Sequence, residues 1–305
     1  MHWLPRRVLT LMGTFVGIIT LIFVLLRLIP GGPFDGERAL PPEVEANLRA
    51  AYHLDEPLPA QYLRYLGRLV HGDLGPSFRQ KDFSVNELVG AGLPVSLGVG
   101  GAALCLALLL GITAGTGAAM KPGSLLDTTL MALSGLGLAV PAIVLAPLAV
   151  LVFAVLLHWL PAGGIGSPRH YVLPAFAAAL PYAAAVARLW RGAVLETLTE
   201  PHLLTARAKG VGRVRLYLRH VFPLAAVPLV SWLGPMAAGL LTGTVVVEQV
   251  FDLPGIGRYF VQAAINRDYT LVMGVAIVYA ALILSFNFLT DLVYGWLDPR
   301  LKVHA

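Results

Sequence analysis

Four lysines could neutralise a phosphate, and none stands where a nucleotide-binding loop would put it. Lys81, Lys121, Lys209 and Lys302 each follow a residue other than glycine. The phosphate-cradling loop needs Gly-Lys, so that backbone N–H groups and the ammonium reach the phosphates together. ATP binding in that manner is therefore excluded. No Gly-x-Ser-x-Gly frames a serine nucleophile, and no His-Glu-x-x-His offers two imidazoles to a metal. The eight histidines are scattered, and His158, at the end of an apolar run, reads as an interfacial residue. The single cysteine, Cys105, permits neither an internal disulfide nor a cysteine-built metal site. What remains is a small set of ionisable residues inside or beside apolar segments: Asp127, Arg188, Glu248 and Asp291, with Asn287 one turn before the last. Such residues are candidates for ion or proton handling. They lie near segment ends and form no mid-membrane relay, so they read as interfacial or paired charges. A proton-coupled carrier is disfavoured; a sodium-coupled one, built on backbone carbonyls, stays open.

The segments that must position these residues are apolar. The 305 residues are 57% hydrophobic and 13% charged, with a mean hydropathy of +0.75. Soluble chains are roughly 45–50% apolar and about 25% charged. A disordered chain, a nucleic-acid-binding module and an ordinary cytosolic enzyme are excluded. Six segments, roughly 8–29, 94–118, 125–157, 171–190, 224–250 and 271–294, reach the ~20 residues that a bilayer core requires. The expected fold is all-α, an integral membrane protein with six transmembrane helices. The third segment is over-long and holds Pro141 and Pro147, which predict a kink. The first lacks a small-x-small cleavage site and reads as a retained helix. Gly-x-x-x-Gly occurs at Gly13/Gly17, Gly111/Gly115 and Gly239/Gly243, which allows close helix packing within this chain or against another.

Basic residues concentrate in about 1–7, 119–124, 188–222 and 295–305, which predicts that both termini are cytoplasmic. The segment 30–93 then lies outside, with nine carboxylates among six basic residues. Within it, 41–52 and 59–70 read as short helices that start at or near Pro41 and Pro59. The organisation is a first helix over 1–29, an external region over 30–93 and a five-helix core over 94–305.

The most informative segment is 196–223, ETLTEPHLLTARAKGVGRVRLYLRHVFP. Pro201 opens and Gly210 closes a short helix over 201–209, with Arg207 and Lys209 in its last turn. Beyond the glycine, Val214, Tyr217, Leu218 and Val221 fall at helical spacing on one face, with Arg215 and Arg219 on another. The pattern alone fits a basic helix lying on anionic lipid. It also fits a docking element for a soluble protein.

This segment resembles the EAA loop of bacterial ABC importer permeases: Leu204-Thr205-Ala206, then Gly210, then His220-Val221-Phe222-Pro223. Ala206, Gly210 and Pro223 match that pattern, while Leu204, Thr205, His220 and Phe222 depart from it. The string TARAKG, residues 205–210, is typical of the oligopeptide, dipeptide and nickel branch. Leu28-Ile29-Pro30-Gly31, His71-Gly72-Asp73-Leu74-Gly75, Leu253-Pro254-Gly255-Ile256-Gly257, Arg267-Asp268-Tyr269 and Asp298-Pro299-Arg300 look like further signatures of it. Strings such as Gly75-Pro76-Ser77-Phe78 and Lys81-Asp82-Phe83-Ser84-Val85-Asn86 look closest to its oligopeptide B-type subunits.

The resemblance favours the docking reading and implies a type I ABC importer permease fold. It implies a multi-pass protein of the bacterial inner (plasma) membrane, with Leu204, Thr205, Ala206, Arg207, Ala208, Lys209, Gly210 and Arg213 coupling to an ATPase and Ala206 facing the ATPase groove. The implied partners are a second homologous permease subunit, two ATPase subunits, an external peptide-binding protein and membrane lipids, and no nucleic acid. No cofactor, metal or catalytic residue is expected in this chain, since ATP and magnesium would sit in the ATPases. The implied cargo is oligopeptides. Dipeptide, glutathione or nickel permeases of the same family are the alternatives within it, and an ATPase-independent secondary transporter the alternative outside it. The resemblance names no residue of the substrate path.

Overall fold

The computed structural model describes residues 3–29, 43, 50, 53–80 and 82–297. Five helices in it are long and apolar enough to cross a bilayer: Leu4–Leu28, Val85–Met120, Pro168–Leu198, Arg213–Val250 and Tyr269–Val293. A sixth span results when Leu125–Ala139 (α4) and Ala142–Leu156 count as one, bent by 103°. The bend has a local cause. Pro141 disfavours the α conformation in the residue before it, and Val140 is extended, at φ −94° and ψ 116°. Helix α4 ends there and α5 (Ala142–Ala149) starts afresh, running into a π-helical stretch over Val150–Leu156.

The chain divides into two compact units, Met1–Val95 with Pro254–Ala281 and Ser96–Leu253 with Leu282–Ala305.

In the first unit, α1 (Trp3–Leu28) and α11 (Tyr269–Leu297) share a cluster of Ile19, Phe23, Met273 and Ile277. Helix α2 (Leu58–Val70) lays Tyr62, Tyr65, Leu66 and Leu69 against that cluster. The expected helix over 59–70 is therefore present, while the one over 41–52 falls almost wholly outside the described residues. The Thr20 and Tyr62 hydroxyls lie 2.6 Å apart, which ties α2 to α1. Arg64 of α2 donates to Glu56, just before that helix, at 2.5 Å and holds that carboxyl below the usual carboxylate range. Burial pushes the Tyr65 phenol up.

One buried carboxylate organises the rest of this unit. Asp268 is 1% exposed and stands between α10 (Ile256–Ile265) and α11. Its N–H closes the end of α10 on the Ala263 carbonyl at 2.8 Å, and Arg267 before it takes a left-handed φ of 56°. Its side chain caps α11 by accepting from the Leu271 N–H at 3.1 Å. The same carboxylate accepts from the Ser77 hydroxyl and, at 3.1 Å, from the Phe78 N–H. Two strings some 190 residues apart in the sequence, Pro-Ser-Phe and Arg-Asp-Tyr, thus meet at one side chain.

In the second unit, α6 (Val172–Leu198) is the central helix, with α4, α5 and α9 (Phe222–Val250) packed on it. Alanines make this possible: Ala177, Ala179 and Ala187 are all but fully buried. Helix α3 (Val85–Met120) approaches α6 through Gly111 and Gly115. A Cβ at Gly111 would stand 2.5 Å from Val186 Cβ, and one at Gly115 would stand 2.5 Å from the Ala187 carbonyl oxygen. That glycine pair packs helices within the chain. At Gly13 and Gly17 a Cβ would meet none of the described residues within 4 Å.

Candidate functional site

The segment 196–223 folds as expected in its first half. Pro201 starts α7 (Pro201–Ala208), where its missing N–H costs nothing. The helix ends in a Schellman motif: the Gly210 N–H bonds the Arg207 carbonyl at 2.9 Å, and the Val211 N–H bonds that of Ala206 at 3.2 Å. Gly210 is left-handed, at φ +76°, and a Cβ there would meet none of the described residues within 4 Å. Its requirement is conformational and not spatial.

Helix α7 is held by one side chain and presents the others. Leu203 is fully buried and Ala206, one turn on, is partly buried. Leu204, Thr205, Arg207, Ala208, Lys209 and Gly210 are exposed, as is Arg213 beyond the turn. Leu204 keeps 58% of its surface accessible. Ala206 therefore sits with the anchoring residue, and the open apolar face is Leu204 with Ala208.

The second half departs from the expected amphipathic helix. A short α8 (Arg213–Leu216) passes into a π turn over Tyr217–Val221 before α9 begins. The wider turn moves the inward positions. Leu216 and Val221 are buried, whereas Val214 and Leu218 are 72% and 61% exposed. The expected face of Val214, Tyr217, Leu218 and Val221 is split, because an even helical spacing fails across a π turn. Arg215 and Arg219 are exposed, as expected.

The inward side chains tie this half to the membrane helices. The Tyr217 hydroxyl lies 2.7 Å from Thr116 Oγ1 at the end of α3. Trp190 of α6, fully buried, donates from Nε1 to Thr116 at 2.9 Å and reaches the Tyr217 hydroxyl at 3.3 Å. Its ring meets Phe222 edge-on, with centroids 5.1 Å apart. Next to Trp190, Arg191 makes a two-pronged pair with Asp127 of α4, at 2.6 and 2.7 Å. Asp127 also accepts from the Gly123 N–H at 2.9 Å, which fixes the turn between α3 and α4. An exposed short helix is thus joined, through Tyr217 and Trp190, to a junction of three packed helices.

Comparison with known proteins shows what this arrangement belongs to. The profile of one family, described as binding-protein-dependent transport system inner membrane component, matches residues 107–303. This chain belongs to that family. It is 45% identical over 304 residues to the oligopeptide transport system permease protein OppB of Escherichia coli strain K12, covering 99% of each chain. It is 40% identical over 303 residues to the dipeptide transport system permease protein DppB of Bacillus subtilis strain 168, covering 99% of this chain and 98% of the relative. Among solved structures, an inward-facing form of the MetNI methionine ABC transporter superposes with a TM-score of 0.58 at 20% identity, over 69% of this chain and 96% of that one. An amino acid ABC transporter gives 0.53 at 19% identity, over 68% and 94%. These two establish the fold.

As a member of the family, the chain is a multi-pass inner-membrane permease subunit, and ATP hydrolysis belongs to separate subunits. Such a permease works in association with ATPase and binding-protein components. Reading the sequence placed Tyr217 on the apolar face of the loop but did not find Thr116, Trp190 or Arg191 as parts of the site. Asp127 was visible as an ionisable residue in an apolar segment, and its partner is Arg191. A tryptophan beside an arginine near a helix end is the one signal that could have marked the junction.

Proposed function

We propose that this chain is one of two different permease subunits of an importer that carries oligopeptides by alternating access. The observation that supports the cargo is end-to-end identity of 45% with oligopeptide permeases. The ATPases dock from the cytoplasmic side, with α7 in a groove of one of them. The docking face is Leu204 and Ala208, flanked by Thr205, Arg207, Lys209 and Arg213, and Gly210 sets the angle at which α7 leaves the chain. Closure of the ATPase dimer displaces α7. The shift passes through Tyr217 and Trp190 to α3, α6 and α9, and the cavity opens outward to take a peptide from a binding protein. The transporter responds because the nucleotide-bound dimer binds one arrangement of the loop better than the other, and that difference biases the equilibrium.

The decisive measurement is uptake by the complete complex in proteoliposomes, using labelled peptides graded from dipeptides to octapeptides. Uptake of the longer peptides is expected. Uptake confined to dipeptides would favour the second reading, which the 40% identity to a dipeptide permease supports. Uptake without ATP would sink both.

The orientation is part of the proposal. In a variant with Cys105 replaced, single cysteines at Glu45 and Arg213 are treated in whole cells with a membrane-impermeant thiol reagent. Position 45 should label and position 213 should not. The reverse pattern would invert the topology and remove α7 from the ATPase side.

A further inference from the structure

The first unit encloses a cavity of about 140 Å³ between the last turn of α1, the helix α2 and the start of α11. One water needs about 10–15 Å³ on this measure, so the space takes a group much larger than an ion. Its floor is apolar, formed by Phe23, Leu26 and Met273, and its rim carries Arg27, Arg64 and Arg68. Glu56 pairs with Arg64 at 2.5 Å and Asp73 lies 3.9 Å from Arg68. Arg27 sits over the Phe23 ring, 5.2 Å from its centroid. Three guanidinium groups thus face a space with two carboxylates paired to them.

Two polar groups in the wall ask for a different partner. Gln61 is 9% exposed and gives its amide hydrogens to the carbonyls of Leu54 and Glu56, at 3.0 and 2.8 Å. Its Oε1 is buried and accepts no hydrogen bond from the described residues, and the buried Tyr65 hydroxyl makes none with them. Both residues line the cavity. A buried acceptor without a donor costs free energy, and a ligand that supplies the donor recovers it. The fitting ligand therefore carries an anionic group, a hydrogen-bond donor and an apolar part.

Position supplies the rest. Helix α1 is a membrane span with Arg27 in its last turn, so the rim lies where hydrocarbon gives way to headgroups. We propose that this cavity binds a phospholipid headgroup, with the phosphate against Arg27 and a headgroup hydroxyl donating to Gln61 Oε1. Phosphatidylglycerol fits best, since it joins a net negative charge to hydroxyl donors. A choline head has no donor, and an ethanolamine head would set an ammonium among guanidinium groups. The inference depends on the chain lying in a membrane and not on what it transports.

The test uses the full-length chain in mixed micelles, with retained lipid measured by native mass spectrometry. Phosphatidylglycerol should be retained over phosphatidylcholine by about tenfold, since both carry the phosphate but only the first offers Gln61 a hydroxyl donor and sets no cation among the guanidinium groups. Arg27→Gln should abolish most of that preference, and Arg27→Lys should keep it. Gln61→Leu, which leaves the arginines in place, should lower it several-fold. Equal retention of the two lipids, or a preference untouched by both Arg27→Gln and Gln61→Leu, would overturn the proposal. So would displacement of the lipid by millimolar inorganic phosphate, which would mark a site for the free anion. If Arg27→Gln alone loses the preference and also melts early, Gln61→Leu decides: an unchanged ratio there rejects the site.

Discussion

Asp268→Ala should destabilise the protein by about 4 kcal/mol, among the largest effects expected of a single substitution. The carboxylate is 1% exposed and serves two segments at once. It caps α11 on the Leu271 N–H and holds the loop before α3 through the Ser77 hydroxyl and the Phe78 N–H. A hydrogen bond to a charged group contributes about 1.5–3 kcal/mol, and donors left without an acceptor keep their desolvation cost. The contributions do not add fully, because all the donors, the longer contacts from Arg79 N–H and Thr270 Oγ1 included, share one acceptor group. Asp268→Asn keeps one oxygen for the two N–H groups but sets an amide toward Ser77, so it should lose roughly half as much. Thermal unfolding of the full-length chain in detergent should therefore rank the wild type above Asp268→Asn, and that above Asp268→Ala. Equal melting of all three would show that the carboxylate is not what holds 77–78 to α11.

The same residue marks what a sequence can and cannot disclose. Hydropathy located the membrane spans because burial in lipid demands apolar length, and that demand is local. Pro141 announced the bend and Gly210 the helix end, since each acts on its own backbone. The meeting of Ser77 with Asp268 is different. Both strings were visible, but nothing in either says that the other is its partner, and pairing across 190 residues is a property of the folded chain. The Tyr217 face fails for a related reason. A π turn adds a residue to one turn and leaves no mark in composition, so the even spacing that made Val214 and Leu218 look inward was wrong by that residue. Trp190, Thr116 and Tyr217 come from three elements, and their hydrogen-bonded contact appears only once those elements pack.

Gly210→Val should uncouple transport while leaving the membrane helices folded. At φ +76° an L-residue with a Cβ is strained by about 1–2 kcal/mol, and a β-branched one by more. None of the described residues stands within 4 Å of the would-be Cβ, so the cost falls on the turn. The Schellman motif opens, the Ala206 and Arg207 carbonyls lose their donors, and α7 no longer leaves the chain at a fixed angle. Coupling free energies between sites are typically about 1–3 kcal/mol, the same size as this strain, so the effect on coupling should be large. Gly210→Asn tests the cause, because asparagine visits the left-handed region with little penalty and should retain most activity. Ala208→Glu tests the face. Position 208 is exposed, so the substitution should spare folding and cost about 1–3 kcal/mol or more in a formed interface. Ala206→Glu is a less clean probe, since that position is partly buried beside Leu203 and the change strains α7 itself. Copurification of the ATPase subunits and peptide-stimulated hydrolysis by the complex are the readouts. Gly210→Val and Ala208→Glu should each lower both by tenfold or more, as losses above about 1.4 kcal/mol require. Tyr217→Phe, which removes only the hydroxyl shared with Thr116 and Trp190, should leave ATPase binding near normal and reduce uptake per ATP hydrolysed. Wild-type docking and uptake in both Gly210→Val and Ala208→Glu would take α7 out of the coupling path and leave the segment 196–223 as a basic surface on anionic lipid.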